Sequence, residues 1–282
     1  MSQYICVDIG GTSIKHGVLD ENAIIKECNQ TKTEAWLGGA AVLDKVKTIG
    51  KQYKEQYENI EGICISTAGM VDPEEGKIVF AGELMPGYTG TCIKKELEKA
   101  LEMPCEVEND VNCAGLAEYV SGSAKESHIM FCATVGTGIG GCAIVNGRVF
   151  HGASNSACEV GYIPMGDSDF QTLGASSILV RKVAEKKIEP LDMWDGKKIF
   201  ALAEKGDKVC ISAIKEMCDV LGKGLATICY VLNPDTIVLG GGIMVQKKIL
   251  ENEIRDSLNR YLRPILAEHL QVCFAEYGNE AG

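Results

Sequence analysis

The sequence predicts an α/β protein of two related lobes. Strand-like and helix-like runs alternate along the first third of the chain, as in folds that pack helices onto a sheet. A unit made of a strand, a glycine-rich turn with a threonine and a second strand occurs twice, about 126 residues apart. At 282 residues the chain can fill two medium-sized cores, and we place the domains at residues 1–115 and 116–282.

The first lobe is predicted from short apolar runs and one long amphipathic segment. Predicted strands cover Ile5–Ile9, Ser13–Leu19, Ala23–Glu27, Ile60–Ser66 and Cys105–Glu108. Predicted helices cover Ala40–Tyr57, Ile93–Leu101 and residues 109–120. The segment Thr67–Pro73 is predicted to be a loop.

The second lobe repeats the opening pattern and then becomes rich in helices. Predicted strands cover Ile129–Val135, Cys142–Val145, Thr236–Leu239 and Gln271–Ala275, with a glycine-rich turn over Gly136–Gly141. Predicted helices cover Ala175–Glu185, Lys197–Glu204, Val209–Leu232 and Lys247–Leu266.

Charge and cysteine content limit the classes of function. The formal charge is −11 and no cluster of lysine or arginine is evident, which argues against nucleic-acid and membrane partners. No apolar run approaches the ~20 residues that a membrane span requires, and no signal peptide is evident. The thirteen cysteines include no Cys-x-x-Cys pair, and several, such as Cys6, Cys64, Cys132, Cys142 and Cys229, lie in apolar runs. We therefore expect reduced core thiols in a cytoplasmic protein.

The two glycine-rich turns suggest a ligand with several phosphates. Backbone N–H groups that point into a concave loop bind anions, and glycine lets the backbone approach them closely. An ordinary hairpin turn is the alternative for the first of these loops taken alone.

Six short stretches, in order along the chain, resemble the ROK family (repressors, open reading frames and sugar kinases) of the actin-like ATPase superfamily. They are Asp8-Ile-Gly-Gly-Thr-Ser-Ile-Lys15, Ile65-Ser-Thr-Ala-Gly-Met-Val-Asp72, Val107-Glu-Asn-Asp-Val-Asn112, Val135-Gly-Thr-Gly-Ile-Gly-Gly141, Glu159-Val-Gly161 and Asn233-Pro-Asp-Thr-Ile-Val-Leu-Gly-Gly-Gly242. The resemblance implies two ribonuclease-H-like lobes with an interlobe cleft, and a sugar kinase similar to the bacterial glucokinases or β-glucoside kinases of the family. It also implies ATP and Mg²⁺ as cofactors, a small-molecule sugar as substrate and a homodimer.

The resemblance assigns catalysis to the Asn109-Asp110 pair. Asp110 is implied to be the general base that takes a proton from the attacking sugar hydroxyl, usually the 6-hydroxyl, and Asn109 is implied to bind the sugar. The alternative is that either residue caps the following helix, a common use of asparagine and aspartate. The two roles are compatible.

The resemblance also assigns residues to the nucleotide. Gly10, Gly11 and Thr12 match the first phosphate loop, with Asp8 bound to Mg²⁺ through water; Lys15 matches a phosphate contact, or is an exposed strand lysine. Gly136, Thr137 and Gly138 match the second phosphate loop. Gly240, Gly241 and Gly242 match the adenosine loop, for which a plain strand-to-helix turn is the alternative.

The sugar-binding positions depart from the family pattern at one point. Gly69, Asn109, Asp110 and Glu159 match hexose contacts, although a surface carboxylate or helix cap is the alternative for Glu159. Where the family has Glu-x-Gly-His, this chain has Tyr162 in place of the histidine. No cysteine occurs from Ile163 to Ser177. Both the histidine and the cysteines of the family's structural zinc site are therefore missing. We expect a zinc-free branch and an altered sugar pocket, which either admits a substituted sugar, such as a glucoside or a disaccharide, or repositions a plain hexose.

Two alternatives belong to other functional classes. A transcriptional repressor of the same family would carry a helix-turn-helix before the first strand, and this chain begins seven residues before Asp8. A sugar-binding regulatory protein without kinase activity is the second alternative. The family also continues past the final Ala-Gly into a closing helix, so the chain is expected either to be truncated there or to lack that helix.

Overall fold

The computed structural model describes residues 2–83 and 85–278 and contains two five-stranded sheets of the same design. In chain order the strands are β1 (Gln3–Ile9), β2 (Ser13–Asp20), β3 (Ile25–Lys32), β4 (Ile60–Thr67), β5 (Met70–Asp72), β6 (Lys77–Phe80), β7 (Cys105–Asn109), β8 (Ile129–Val135), β9 (Ile139–Val145), β10 (Arg148–Val149), β11 (Pro164–Met165), β12 (Ser168–Asp169), β13 (Thr236–Gly240) and β14 (Gln271–Phe274). The helices are α1 (Gly39–Gln56), α2 (Ile93–Leu101), α3 (Asp110–Val120), α4 (Phe170–Gly174), α5 (Ser176–Lys187), α6 (Gly196–Glu204), α7 (Lys208–Leu232), α8 (Lys247–Tyr261) and α9 (Pro264–Ala267).

The two large sheets share one strand order. The first runs β3-β2-β1-β4-β7 and the second β10-β9-β8-β13-β14. In each sheet the first three strands are antiparallel, and the last two run parallel to the central strand. The α/β fold built from two related halves is therefore confirmed.

Contacts within the chain define two compact units. Among the described residues, the first comprises those up to Cys113 together with the segment His151–Ser156, and the second comprises Ala114–Phe150 and residues 157–278. The division falls inside α3. The segment His151–Ser156 belongs to the first unit although the chain on both sides of it belongs to the second.

Each unit has its own hydrophobic core. In the first unit Ile5, Val7 and Ile9 alternate along β1 toward the core that also contains the apolar face of α1. In the second unit the core surrounds the 25-residue helix α7, which begins after the N-cap Asp207 and ends at Asn233 in the left-handed conformation.

Several boundaries differ from the predicted ones. β5 and β6 form a hairpin inside and just after the segment predicted to be a loop, because the turn at Asp72–Gly76 lets two short strands pair. β9 begins at Ile139 rather than Cys142, so its glycines are part of the sheet. The last long helix ends at Tyr261, because Pro264 disfavours helical backbone at the residue before it.

The last part of the chain is described only through Gly278. Residues 279–282, on which the expectation about the closing helix falls, lie outside the described residues. Ahead of them, the buried carboxylate of Glu118 accepts the backbone N–H groups of Glu276 and Tyr277 at 2.8 and 3.0 Å.

All thirteen cysteines are free thiols. Cys132, Cys142 and Cys229 are buried as predicted, but Cys6 is half-buried and Cys64 is exposed. The prediction of a core position was wrong for Cys64, because it lies on the face of the first sheet opposite the core, paired with Glu106. In the described part of the chain, no helix combines the length and apolar composition needed to cross a bilayer.

Helix α7 packs so closely at Gly224 that a side chain there cannot fit. A Cβ at Gly224 would lie 2.3 Å from the ring of Phe170. We expect Gly224→Ala to lower the free energy of unfolding by about 1–3 kcal/mol, because overpacking outweighs the ~1 kcal/mol gain in helix propensity. Urea unfolding measures the change. Gly196→Ala, where a Cβ meets open space at the start of α6, is the control and should change stability by less than about 1 kcal/mol.

Candidate functional site

The register of the first sheet brings three strand ends to one edge. Ile9, Thr67 and Asn109 are Cα partners across the parallel strands β1, β4 and β7. The residues that follow these strand ends therefore emerge together, as is typical of ligand sites in open α/β sheets.

A row of polar residues crosses this sheet one position before its edge. Asp8 pairs with Lys15 on one side and Ser66 on the other, and Ser66 pairs with Glu108. The Ser66 hydroxyl donates a 2.9 Å hydrogen bond to Asp8 Oδ1. Because side chains alternate along a strand, the row lies on the face opposite the apolar core.

The first glycine loop, Gly10 to Thr12, is fixed by hydrogen bonds that its carbonyl oxygens accept. The Gly10 N–H donates to the Ser13 carbonyl at 3.0 Å, which closes the turn. Thr33, which is fully buried, donates its hydroxyl to the Gly10 carbonyl at 2.6 Å and its N–H to the Thr12 carbonyl at 3.0 Å. The N–H groups of Gly11 and Thr12 hydrogen-bond to none of the described residues, so they are available to an anion.

The second glycine loop, Gly136 to Gly138, is also fixed by hydrogen bonds to its carbonyl oxygens. The Gly136 carbonyl accepts the N–H of Ser176 at 3.0 Å and its hydroxyl at 2.6 Å. The Thr137 carbonyl accepts the hydroxyl of Ser177 at 2.7 Å. Within the described ranges the N–H groups of Thr137 and Gly138 have no hydrogen-bond partner. Each unit thus offers two unpaired N–H donors in a fixed loop.

The third glycine loop, made of Gly240, Gly241 and Gly242, requires glycine at its central position. Gly241 has φ +96°, and a Cβ there would lie 2.4 Å from the carbonyl oxygen of Val135, the residue before the second glycine loop. Gly240 ends β13, and a Cβ at Gly242 would meet open space. The close packing of Gly241 on Val135 places the second and third loops side by side within the second unit.

Asn109 caps α3 and holds Asp110. Its Oδ1 accepts the N–H groups of Val111 and Asn112 at 2.9 and 3.1 Å. Its Nδ2 donates to the carbonyl of Gly69 and to Asp110 Oδ1, both at 2.9 Å. The capping alternative is therefore correct for Asn109. Its amide already makes four hydrogen bonds within the protein, so a sugar would have to share or replace one of them.

Position 69 also requires glycine. Its φ is +103°, and a Cβ there would lie 2.7 Å from the carbonyl oxygen of Phe80. This conformation presents the Gly69 carbonyl to Asn109.

Burial raises the pKa of Asp110 to about 6, and the negative charge of Asp8 adds to the effect. The N–H of Val111 and the amide of Asn109 oppose it by donating to the carboxylate. A carboxylate whose pKa lies near neutrality is suited to accept a proton in a reaction.

The second unit carries the remaining predicted sugar contacts. Glu159 precedes the short 3-10 turn Val160–Tyr162 and is exposed, and its backbone carbonyl accepts the N–H of Tyr162 at 3.3 Å. Its carboxylate forms no hydrogen bond or ion pair with any residue that the structure describes. Partial desolvation raises its pKa. Tyr162 is 58% exposed. The Gln171 side-chain oxygen lies 2.8 Å from where a Cβ of Gly161 would be.

The structure thus groups the predicted residues by unit. The first unit brings together Asp8, Gly10, Gly11, Thr12, Gly69, Asn109 and Asp110, with Lys15 beside Asp8 in the sheet. The second unit carries Gly136, Thr137, Gly138, Gly240, Gly241, Gly242, Glu159 and Tyr162.

Sequence reasoning missed the residues that hold the site in place. They are Thr33, Ser66, Glu108, His151, Ser176 and Ser177. A weak signal existed only for Ser176 and Ser177, which stand at a predicted helix start, where hydroxyls commonly bind backbone groups.

The residues around Asp8 fit a hydrated magnesium ion. The described residues include no group of three or more histidine, cysteine, aspartate or glutamate side chains that could hold a metal directly. Mg²⁺ commonly uses one or two carboxylates and keeps its waters while binding phosphate oxygens. Asp8, beside the unpaired N–H groups of the first glycine loop, offers such a carboxylate.

Comparison with known proteins gives one consistent family. A family model described as ROK family matches residues 4–282. An uncharacterized protein of Clostridium perfringens is 44% identical over 283 residues, covering 100% of this chain and 95% of that protein. The β-glucoside kinase of Klebsiella pneumoniae is 30% identical over 283 residues, covering 98% and 91%.

A solved structure and a regulator extend the comparison. A ROK family glucokinase from Streptomyces griseus in complex with glucose and AMPPNP superposes with TM-score 0.84 at 27% identity, covering 99% of this chain and 96% of that chain. The DNA-binding transcriptional dual regulator NagC of Escherichia coli is 26% identical, covering 84% of this chain and 62% of the regulator.

Replacement of Asp110 by its neutral isostere should stabilise the protein at high pH. The folded-state pKa of about 6 exceeds the ordinary 3.8, so the folded state binds more protons than the unfolded state between these values, and wild-type stability falls as pH rises through that window. The full shift corresponds to about 3 kcal/mol. We expect Asp110→Asn to gain about 2 kcal/mol at pH 8 and almost nothing at pH 4, measured by urea unfolding.

The exposed Asp192 supplies the matched control. Asp192→Asn should show no such pH-dependent gain. Equal behaviour of the two variants would mean that Asp110 is well solvated.

Proposed function

Because this chain belongs to the ROK family and is an ATP-dependent sugar kinase, we propose that it phosphorylates the 6-hydroxyl of a hexose or hexose-containing sugar, with Asp110 as the general base. The observation that carries the proposal is the position and environment of the Asp110 carboxylate. It begins α3 at the sheet edge that also presents the first glycine loop, and burial raises its pKa to about 6.

The reaction needs one proton acceptor and stabilisation of negative charge. The sugar hydroxyl oxygen forms a bond to the γ-phosphorus of ATP, and the bond from that phosphorus to the β–γ bridging oxygen breaks. The hydroxyl proton passes to Asp110, and ADP leaves. Such transfers depend mainly on positioning and electrostatics. Asp110 must be ionised to accept the proton, which its pKa permits at neutral pH.

The loops of each unit supply donors for ATP. In the first unit the N–H groups of Gly11 and Thr12, which have no partner among the described residues, can donate to phosphate oxygens. Asp8 would hold Mg²⁺ through its water shell, with Lys15 beside it. In the second unit Thr137 and Gly138 offer the same kind of donor. When bound, the metal ion neutralises charge on the phosphates.

The adenosine part of ATP is assigned to the third glycine loop. In this loop Gly241 packs against Val135, the residue that precedes the second glycine loop, and among the described residues nothing lies within 4 Å of a Cβ placed at Gly242. This arrangement supports binding of the nucleoside next to its phosphates.

The sugar-binding residues of the proposal are Gly69, Asn109, Asp110, Glu159 and Tyr162. The unpartnered carboxylate of Glu159 can accept two sugar hydroxyls. Tyr162 replaces the family's histidine, and no cysteine follows before Ser177. We therefore propose a pocket without structural zinc that accepts a substituted sugar such as a β-glucoside. A homodimer and a cytoplasmic location remain predictions.

A sugar panel tests the proposal. ADP release from Mg-ATP should be measured with glucose, mannose, fructose, allose, N-acetylated hexosamines and cellobiose. We expect turnover with at least one sugar and a 6-phosphate product by NMR. Asp110→Asn should reduce kcat by about 10²–10⁴-fold, the usual contribution of a general base. Asp192→Asn serves as control and should turn over like the wild type.

Other outcomes of the panel would contradict particular parts of the proposal. A 1-phosphate product would exclude the 6-hydroxyl as acceptor, and full activity of Asp110→Asn would exclude Asp110 as the base. Sugar binding by calorimetry without ADP release would favour the alternative of a sugar-binding regulatory protein without kinase activity.

A further inference from the structure

The Glu108 carboxylate accepts hydrogen bonds at the junction between β7 and α3, where Asp110 lies. Its Oε1 accepts the backbone N–H of Asn109 at 2.7 Å and the Nδ2 of Asn112 at 2.9 Å. β7 is the edge strand of its sheet, so N–H groups on its outer side have no neighbouring strand to accept them. One carboxylate oxygen therefore joins the end of β7 to the first turn of α3, with Asp110 between the two contacts.

His151 fixes the other oxygen of the same carboxylate. Its Nε2 donates to Glu108 Oε2 at 2.7 Å, and the two side chains are 27% and 17% exposed. A hydrogen bond in which one partner is charged is stronger than a hydrogen bond between two neutral groups. Without His151, only the two contacts of Oε1 would hold the Glu108 carboxylate against rotation toward solvent, and the hydrogen bond to the N–H of Asn109 would weaken.

His151 reaches Glu108 from a separate part of the chain. It begins the segment His151–Ser156, which packs with the first unit, whereas Phe150 before it and Ala157 after it belong to the second. Glu159 follows in the sequence three residues after this segment ends. The histidine is thus the side chain by which this segment is hydrogen-bonded to the catalytic junction.

We propose that His151 is a positioning residue for phosphoryl transfer, acting through Glu108 to hold Asn109 and Asp110 in the geometry that the reaction requires. The proposal rests on the function proposed above. A misplacement of about 1 Å in a catalytic group can lower a rate about 10²-fold, so the loss of one such support should be visible in turnover.

Two substitutions at one position test the proposal. His151→Ala removes the donor to Glu108, while His151→Gln places an amide N–H near the same point. With the sugar that the panel identifies, we expect His151→Ala to lower kcat about 10-fold, with the KM for ATP within about 2-fold of wild type. His151→Gln should recover most of that loss. His269→Ala, at an exposed histidine of the second unit, is the matched control and should leave kcat unchanged.

A double-mutant cycle tests the route through Glu108. If His151 acts through that carboxylate, His151→Ala should cause no further loss of kcat in a Glu108→Ala protein. Independent, multiplicative losses would overturn the route.

Hydrogen exchange separates failure of this proposal from failure of the proposed function. Peptides that cover residues 105–116 report on the Asn109 N–H whether or not any sugar turns over. We expect faster exchange there in His151→Ala and wild-type exchange in His151→Gln and His269→Ala. If the wild type phosphorylates no sugar, faster exchange still supports the contact, and the proposed function alone fails.

Two results would overturn the proposal itself. One is wild-type exchange and wild-type kcat in His151→Ala. The other is an equal loss of activity in His151→Ala and His151→Gln together with a general loss of thermal stability, because a purely structural role would produce that pattern.

Discussion

The register between β1, β4 and β7 is the constraint on which the site in the first unit depends. Because these strands run parallel and Ile9, Thr67 and Asn109 are in line, three turns begin at one edge. Each turn then adds a different chemical group: free N–H donors after β1, a carbonyl at Gly69 after β4, and the Asn109–Asp110 pair after β7. A shift of register by one residue would turn the row of Asp8, Ser66 and Glu108 toward the apolar core.

Burial of Asp110 costs stability, and its neighbours offset only part of that cost. The N–H of Val111 and the amide of Asn109 stabilise the carboxylate, whereas desolvation and Asp8 oppose its charge. Asn109 itself is held by Gly69, which needs a left-handed backbone, and by Glu108, which His151 holds in turn. The order of the junction therefore comes from hydrogen bonds among the side chains and backbone groups that surround Asp110.

Local sequence predicted the elements and the loops, but not the contacts that fix them. Alternating apolar residues in β1 and the repeated glycine turns carry strong local signals. β1 appears where expected, whereas the second turn is shorter than predicted because β9 begins at Ile139. Thr33 holds the first glycine loop from the end of β3, and nothing in its neighbours distinguishes it from an ordinary strand threonine. His151 meets Glu108 across 43 residues, because the chain returns to the first unit for one short segment. Such pairings depend on topology, which residue type and spacing do not encode.

The ionisation of Asp110 tests the central claim most directly. Protein labelled with ¹³C at the aspartate carboxyl carbons can be titrated by NMR, and the resonance missing from Asp110→Asn identifies the group. The desolvated carboxylate described here should titrate near pH 6. A midpoint at the ordinary value of about 3.9 would show a solvated side chain near the helix start, and would contradict the assignment of Asp110 as a base poised near neutral pH.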